Sequence, residues 1–423
     1  MKKFSAFIFA AVATGGALAG SARAGGFGLN EFDAREVGRG NAAAASDYEP
    51  SSIYYNVGGL ALGDGTRFEV SGSLVQLDAT FHETDGPSTS SNTNPQVLPA
   101  AFFSHRFNDV LSAGIGFYTP FGSALSWPAD APTTNVVKTI SLRTYFITPA
   151  VGANLGQWIP GLTVGGGVDL VPATFELTQD IYFGQDRGTA DLGATAFGVG
   201  GRIGAMYRVE ALPELSFGAM WRSSVKLDFS GTGNFDAPPP YRGQLPPDGA
   251  ISAELKLPQQ WTVGAAYRPI DELEIEADMV WTDWSAFRQL NIIVPANGGP
   301  GTQIIQTTEG YQNTFSVRVG GEYWLPDLGL GLRAGYIYDP TPVPTQYLTT
   351  QLPDVDRHDI TLGATKAFLG NYDVSAAFLF VVPRTRATAT GPEIDPPLYK
   401  GTFDVSAWVA SLTVGGSFGT GRN

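Results

Sequence analysis

Residues 273–282 read LEIEADMVWT, and the period of that decapeptide decides the fold. Leu273, Ile275, Ala277, Met279 and Trp281 alternate with Glu274, Glu276, Asp278 and Thr282. A two-residue period puts the apolar side chains on one face of an extended strand and the carboxylates on the other. The pattern recurs. Leu162, Val164, Val168 and Leu170 alternate with Thr163, Gly165, Gly167 and Asp169. Phe197, Val199, Ile203 and Tyr207 alternate with Gly198, Gly200, Arg202 and Arg208. Phe315, Val317, Val319 and Tyr323 alternate with Ser316, Arg318, Gly320 and Glu322. A soluble sandwich would turn the apolar face inward; a membrane barrel turns it out to lipid and lines its lumen with the polar face.

The connections separate these two folds. Strand starts near Arg67, Val97, Leu111, Ile140, Leu162, Thr195, Leu215, Ile251, Leu273, Thr314, Leu330, His358, Tyr372 and Asp404 make about fourteen strands, an even number. Short linkers follow Arg106, Gly156, Val209, Pro269, Pro326 and Leu369. Long linkers rich in Pro, Gly, Ser and Thr begin near Asp78, Pro120, Glu176, Gly231, Arg288, Pro340 and Arg386. Tight turns at one end and long loops at the other are the asymmetry of an outer-membrane barrel, and a sandwich has no reason to sort its loops so.

The ends and the composition agree. Lys2 and Lys3, an apolar run from Phe4 to Leu18, and Ala22-Arg23-Ala24 form a signal peptide over residues 1–24. The chain has 53 Gly and 26 Phe but only 16% charged residues, which suits tightly packed strands and interfacial aromatics. With no Cys, disulfides and thiolate metal sites are excluded. A formal charge of −14 argues against nucleic acid as a partner. His82, His105 and His358 are too scattered for a metal cluster or a Ser–His pair, and the Asp354/Asp356 pair alone is a weak calcium signal, so no metal, cofactor or catalytic set is expected. The expected organisation is therefore a signal peptide (1–24), an N-terminal segment (25–66), an all-β transmembrane antiparallel barrel (67–418) and a short tail (419–423). A barrel of this strand number holds an aqueous channel unless something fills it, and the Gly- and Ala-rich 25–66 segment is the available plug.

That segment, GFGLNEFDAREVGRGNAAAASDYEPSSIYYNVGGLA over 26–61, resembles the hatch of the FadL-type outer-membrane transporters of long-chain fatty acids and aromatic hydrocarbons. FYTPFG (117–122) is similar to that family's kinked third strand, and VWTDWSAF (280–287), LRAGYIYDPTPVP (332–344) and LPDVDR (352–357) resemble its later motifs. The resemblance implies a monomer in the outer membrane of a Gram-negative cell, its partners being a hydrophobic ligand, membrane lipid and lipopolysaccharide. The ligand would meet the outer loops, bind above the hatch, and leave sideways into the membrane once the hatch moves. Long-chain fatty acids are the expected cargo, with aromatic hydrocarbons as the alternative and a general porin as a more distant one.

Site residues follow. By resemblance, Phe27, Leu29 and Asn30 line the ligand pocket, Asn56, Val57 and Gly58 gate the hatch, and Thr119, Pro120, Phe121 and Gly122 form the lateral exit. Pro120 has no N–H for the ladder, so a break in pairing is expected there. Asn56-Val57-Gly58 stands where the family carries Asn-Pro-Ala, exchanging a fixed φ for a free one. Arg143, Arg202, Arg222, Arg318 and Arg333 face the lumen by alternation; Arg143 and Arg318 are the candidates for a ligand carboxylate, while pairing with Asp169, Glu274, Glu276, Asp278 and Glu322 is the competing use. The tryptophans, Trp127 and Trp284 among them, are read as girdle or loop aromatics, Trp127 also as part of an outer landing patch.

Overall fold

The computed structural model describes residues 25–297, 300–368, 370–389 and 399–419; the expected signal peptide and the end of the tail lie outside them. Among the described residues, fourteen antiparallel strands close into one ring. They are β1 (Thr66–Glu83), β2 (Gln96–Arg106), β3 (Leu111–Tyr118), β4 (Phe146–Asn154), β5 (Leu162–Phe183), β6 (Asp186–Arg208) and β7 (Leu215–Arg222), then β8 (Gln260–Ile270), β9 (Leu273–Thr282), β10 (Thr314–Leu325), β11 (Leu330–Asp339), β12 (Arg357–Phe368), β13 (Tyr372–Ala387) and β14 (Gly401–Phe418). The ring is sealed by β14 against β1, in register from Thr66 opposite Phe418 to Glu83 opposite Gly401.

The alternation resolves as expected for lipid outside and polar inside. On β10, Phe315 is 54% exposed while Arg318 is 7% exposed. Three readings change. The strand expected from Ile140 is a short arm, Thr139–Thr144, paired to Gly122–Ser126, and the ring resumes only at Phe146. The long linker expected from Glu176 is not a loop: β5 and β6 run through it as a continuous hairpin that turns at Gly184, where φ is +68°. Alternation persists there because the hairpin stands above the membrane and buries Leu177, Ala190 and Leu192 inward. The strand expected from Ile251 is a separate arm, Gly249–Leu257, paired with Val225–Asp236 in a hairpin above the ring; Pro258 ends it, and β8 begins only at Gln260.

Residues 25–65 fill the lumen with short helical turns. Helix α1 (Ala34–Gly38) starts at Asp33, whose side chain accepts from Arg35 N at 3.0 Å. Helix α2 (Ser52–Tyr55) leads to a 3₁₀ turn over Val57–Ala61 capped by Asn56. Neighbouring chain turns leave many backbone groups without a local partner, and the wall supplies them. Ala43 N and Ala44 N donate to Asp278 Oδ2 at 2.8 and 3.0 Å, Ala45 N to Glu276 Oε1 at 2.6 Å, and Ala34 N to Thr413 Oγ1 at 2.8 Å on the last strand. The polar inner face of the barrel is thus largely a hydrogen-bonding mould for the hatch. At Gly320 and Gly218 the fit is backbone to backbone: a Cβ there would overlap the carbonyl oxygens of Arg39 and Ala44.

Candidate functional site

The wall is interrupted at β3. Its ladder with β2 runs only from Arg106/Ser112 to Ala101/Phe117. Residues 96–100 of β2 have register partners on β1 alone. Beyond Thr119-Pro120 the chain resumes as Gly122–Ser126, paired on its other side to Thr139–Thr144. The result is a gap between β2 and the kinked strand, bridged higher up where Asn92 N donates to Ser126 O at 3.0 Å. Proline causes the break by withholding a donor. Inside the gap, the Thr119 and Ser123 hydroxyls are buried without hydrogen-bond partners.

The first residues of the hatch close that gap from within. Leu29 N donates to Pro120 O and Gly122 N to Phe27 O, both at 2.9 Å, and Gly28 lies opposite Phe121 as an isolated antiparallel bridge. The Phe27 ring is wedged among Trp284, Phe287 and Phe121 at centroid distances of 4.9, 5.4 and 6.0 Å. Gly26 N donates to Asp354 Oδ2 at 3.2 Å, tying the same segment to the outer loops; burial pushes the Asp354 carboxyl up to about 6.

Over Phe27 opens an apolar cavity. Leu142, Phe175, Phe229, Phe287 and Ile292 line it, mostly from the hairpins above the ring. Among the described lining residues there is no Arg, Lys or His; the ionisable groups are Glu309 and Tyr311. The cavity, the wedge and the gap are contiguous, since Phe27 and Ser123 belong to the lining and Phe27 also bonds the kink.

The expected residues fall into three places. Phe27 lines the apolar cavity, and Leu29 is at the kink with Thr119, Pro120, Phe121 and Gly122. Asn30 and Arg318 are in a separate polar cavity that also includes Asn41, Arg222 and Asp278. There Arg318 donates to Asn41 O at 3.2 Å and to Asn30 Oδ1 at 3.1 Å, so its guanidinium is held by the hatch. Arg143 sits in the arm beside the kink, opposite Gly122, and lines neither cavity. Asn56, Val57 and Gly58 are far along the hatch from its N-terminal bridge: Asn56 Nδ2 donates to Ala44 O and to Ala205 O, at 2.6 and 3.0 Å, and Gly58 rests on Ala205 of β6. Of the remaining lumen arginines, Arg202 pairs with Asp169 and Arg333 with Glu322, both at 2.8 Å, whereas Arg222 donates to Gln260 Oε1, lies over the Tyr54 and Phe121 rings, and keeps its Nε and Nη1 buried without hydrogen-bond partners.

Three aromatic and acidic positions differ from the sequence reading or escape it. Trp127 is 2% exposed, its Nε1 donating to Thr350 O at 3.0 Å, so it joins two loops and offers no outer landing surface. Trp284 is buried against Phe27 and is not a girdle residue. Alternation fails for both because they lie outside the ladder. Glu309, in a Thr-rich run after an outer hairpin, carries no sequence signal at all.

Comparison with known proteins agrees with this architecture. The chain is 26% identical over 393 residues to the long-chain fatty acid transport protein of Escherichia coli K12, covering 83% of this chain and 85% of the relative. It is 24% identical over 423 residues to the putative outer membrane protein NMB0088 of Neisseria meningitidis, covering 87% and 89%. Its fold resembles a Pseudomonas aeruginosa FadL homologue with a TM-score of 0.78 at 19% identity, covering 93% of this chain and all of that one, and the Pseudomonas putida toluene transporter TodX with a TM-score of 0.74 at 19% identity, covering 92% and 99%. A model of the family described as outer membrane protein transport protein (OMPP1/FadL/TodX) matches residues 15–418. The plugged barrel, its interrupted wall and this match across nearly the whole chain place the protein in the outer membrane as a transporter of hydrophobic compounds, and it belongs to the OMPP1/FadL/TodX family.

Proposed function

We propose that the protein takes up uncharged hydrophobic molecules passively, by binding them in the apolar cavity, releasing the hatch N-terminus from the kink, and letting them pass through the wall into the outer membrane. The observation that carries this reading is the double use of Phe27, which lines the cavity and accepts the Gly122 hydrogen bond that fills the gap. A ligand that displaces Phe27 would loosen the closure of its own exit. Lateral release spares the cargo a water-filled lumen, where each methylene left exposed costs about 0.8 kcal/mol. One barrel suffices for such a route, which carries the cargo past the lipopolysaccharide layer. Asn56, Val57 and Gly58 would act as the fixed end about which the rest of the hatch moves.

Long-chain fatty acids are the second reading, favoured by the names of the curated relatives. It requires a partner for the carboxylate. The described lining of the apolar cavity offers no cation, and the arginines with unpartnered N–H groups, Arg222 and Arg318, are in the separate polar cavity, so the apolar cavity itself favours an uncharged cargo.

The test is a lock. The chain has no Cys, so Gly28→Cys with Phe121→Cys introduces one possible disulfide, across a bridge whose flanking hydrogen bonds mark the closer type of antiparallel pair. Uptake of toluene and of oleate by cells carrying the variant should stop under oxidising conditions and return on reduction. Uptake that continues through the locked protein would defeat the proposal.

A further inference from the structure

Glu309 follows the hairpin arm Thr302–Thr308, and its backbone N–H is held by Arg288 O at 2.8 Å. Its side chain lines the apolar cavity and also a neighbouring space among the outer loops, beside Thr307, Tyr347 and Tyr399. It therefore stands at the passage between them. Its Oε1 is shut off from solvent and has no hydrogen-bond partner. Among the described residues lining the two spaces, the other titratable groups are Tyr311, Tyr347 and Tyr399; Arg288 is exposed and lines neither.

A buried carboxylate oxygen without a donor is costly, and an apolar cavity has no reason to keep one unless its occupant supplies the donor. We propose that Glu309 selects the cargo: the cavity takes hydrophobic molecules that carry a hydroxyl, such as a phenol or a long-chain alcohol, with Glu309 accepting the hydroxyl proton's hydrogen bond, and it rejects molecules that carry a carboxylate. This rests on the cavity being the binding site proposed above and names the substrate class for it. The geometry supplies both halves of the selection. A hydroxyl at the cavity mouth satisfies Oε1, whereas a ligand carboxylate would bring a second negative charge to a wall that holds no positive one. A plain hydrocarbon enters but leaves Oε1 unpaired. Burial alone pushes the Glu309 carboxyl up to about 7, as expected for a group with neither a cation nor a donor beside it.

Three ligands of one shape separate the possibilities: toluene, p-cresol and p-toluate, titrated calorimetrically into the full-length protein in detergent at pH 8.5. The wild type should bind p-cresol roughly ten-fold tighter than toluene, the size of one hydrogen bond to a charged group, and p-toluate more weakly than toluene. Glu309→Leu should abolish the preference for p-cresol. Glu309→Gln, which keeps an acceptor and removes the charge, should retain part of that preference and relieve the penalty on p-toluate. Ala253→Trp, which fills the cavity, should remove toluene binding and so tests the cavity itself. Toluene binding that Ala253→Trp abolishes, together with an unchanged cresol-to-toluene ratio in Glu309→Leu, would overturn the role of Glu309 and leave the cavity standing. Failure of all three ligands to bind the wild type would overturn both.

Discussion

Replacing Phe27 by Ala should open the gap at the kink, the proposed lateral exit, without harming the barrel. Two backbone hydrogen bonds hold the hatch N-terminus in the kink, together contributing about 1–3 kcal/mol. The larger share comes from the Phe27 ring, which is 5% exposed and contacts three aromatic neighbours. Truncating a buried Phe to Ala costs about 3–5 kcal/mol, and that loss falls on the closed arrangement alone if the ring leaves its socket when the gap opens. Taking the lower figure, the open population rises at least about 100-fold. A thiol at position 28 reports this directly, since the native chain has no Cys and a Cβ there meets its nearest atoms at 3.4 and 3.5 Å, ordinary contact distances. The maleimide labelling rate of Gly28→Cys should rise by about that factor in the Phe27→Ala background while the barrel keeps its heat-dependent gel mobility. Rates that agree within about three-fold would show that the Phe27 ring does not hold the gap closed.

Other expectations follow from the same contacts. Asp169→Leu leaves the Arg202 guanidinium buried with only Tyr118 beneath it and the Ile53 carbonyl beside it, and should cost about 3–5 kcal/mol in urea unfolding, with much of the loss recovered in the Asp169→Leu/Arg202→Met pair. Gly320→Val drives a side chain into the Arg39 carbonyl, so the hatch should become sensitive to protease, whereas Gly72→Val, with nothing within 4 Å, should not change it. Glu309 is charged above about 7 and neutral below, so any fatty-acid binding to the cavity should weaken as pH rises through 7, by roughly ten-fold; Glu309→Gln should remove that step and leave only the ligand's own titration.

Most of the ring was legible from the sequence because lipid and lumen impose a two-residue period on every strand that crosses. The starts read at Leu111, Leu162, Leu215, Leu273, Thr314, Leu330 and Tyr372 coincide with those observed, and those read at Arg67, Val97 and His358 differ by one residue. Where the chain rises above the membrane, the same period continues amid loop-like composition, which is why 176–193 looked like a loop. The kink was legible too, because Pro120 declares a missing donor. What fills the kink was not. Leu29 and Phe27 act there through a backbone N–H and C=O, which almost any residue other than proline would supply and no pattern marks. The inward direction of Arg318 was readable from alternation, but its engagement by Asn30 and Asn41 depends on how the hatch folds, which has no period to read.

The hydrogen bond from Ala34 to Thr413 joins a residue of the hatch to the strand that seals the ring. Its contact order is nearly the full length of the chain, so this part of the hatch cannot be completed until synthesis and insertion have delivered the final hairpin. Sealing the ring and completing the α1 end of the hatch therefore fall together, late in biogenesis. A chain stalled before β14 would present the membrane with an unpaired edge on β1 and a hatch lacking its Thr413 partner at the same moment, and the cell's quality control would meet these two faults as one.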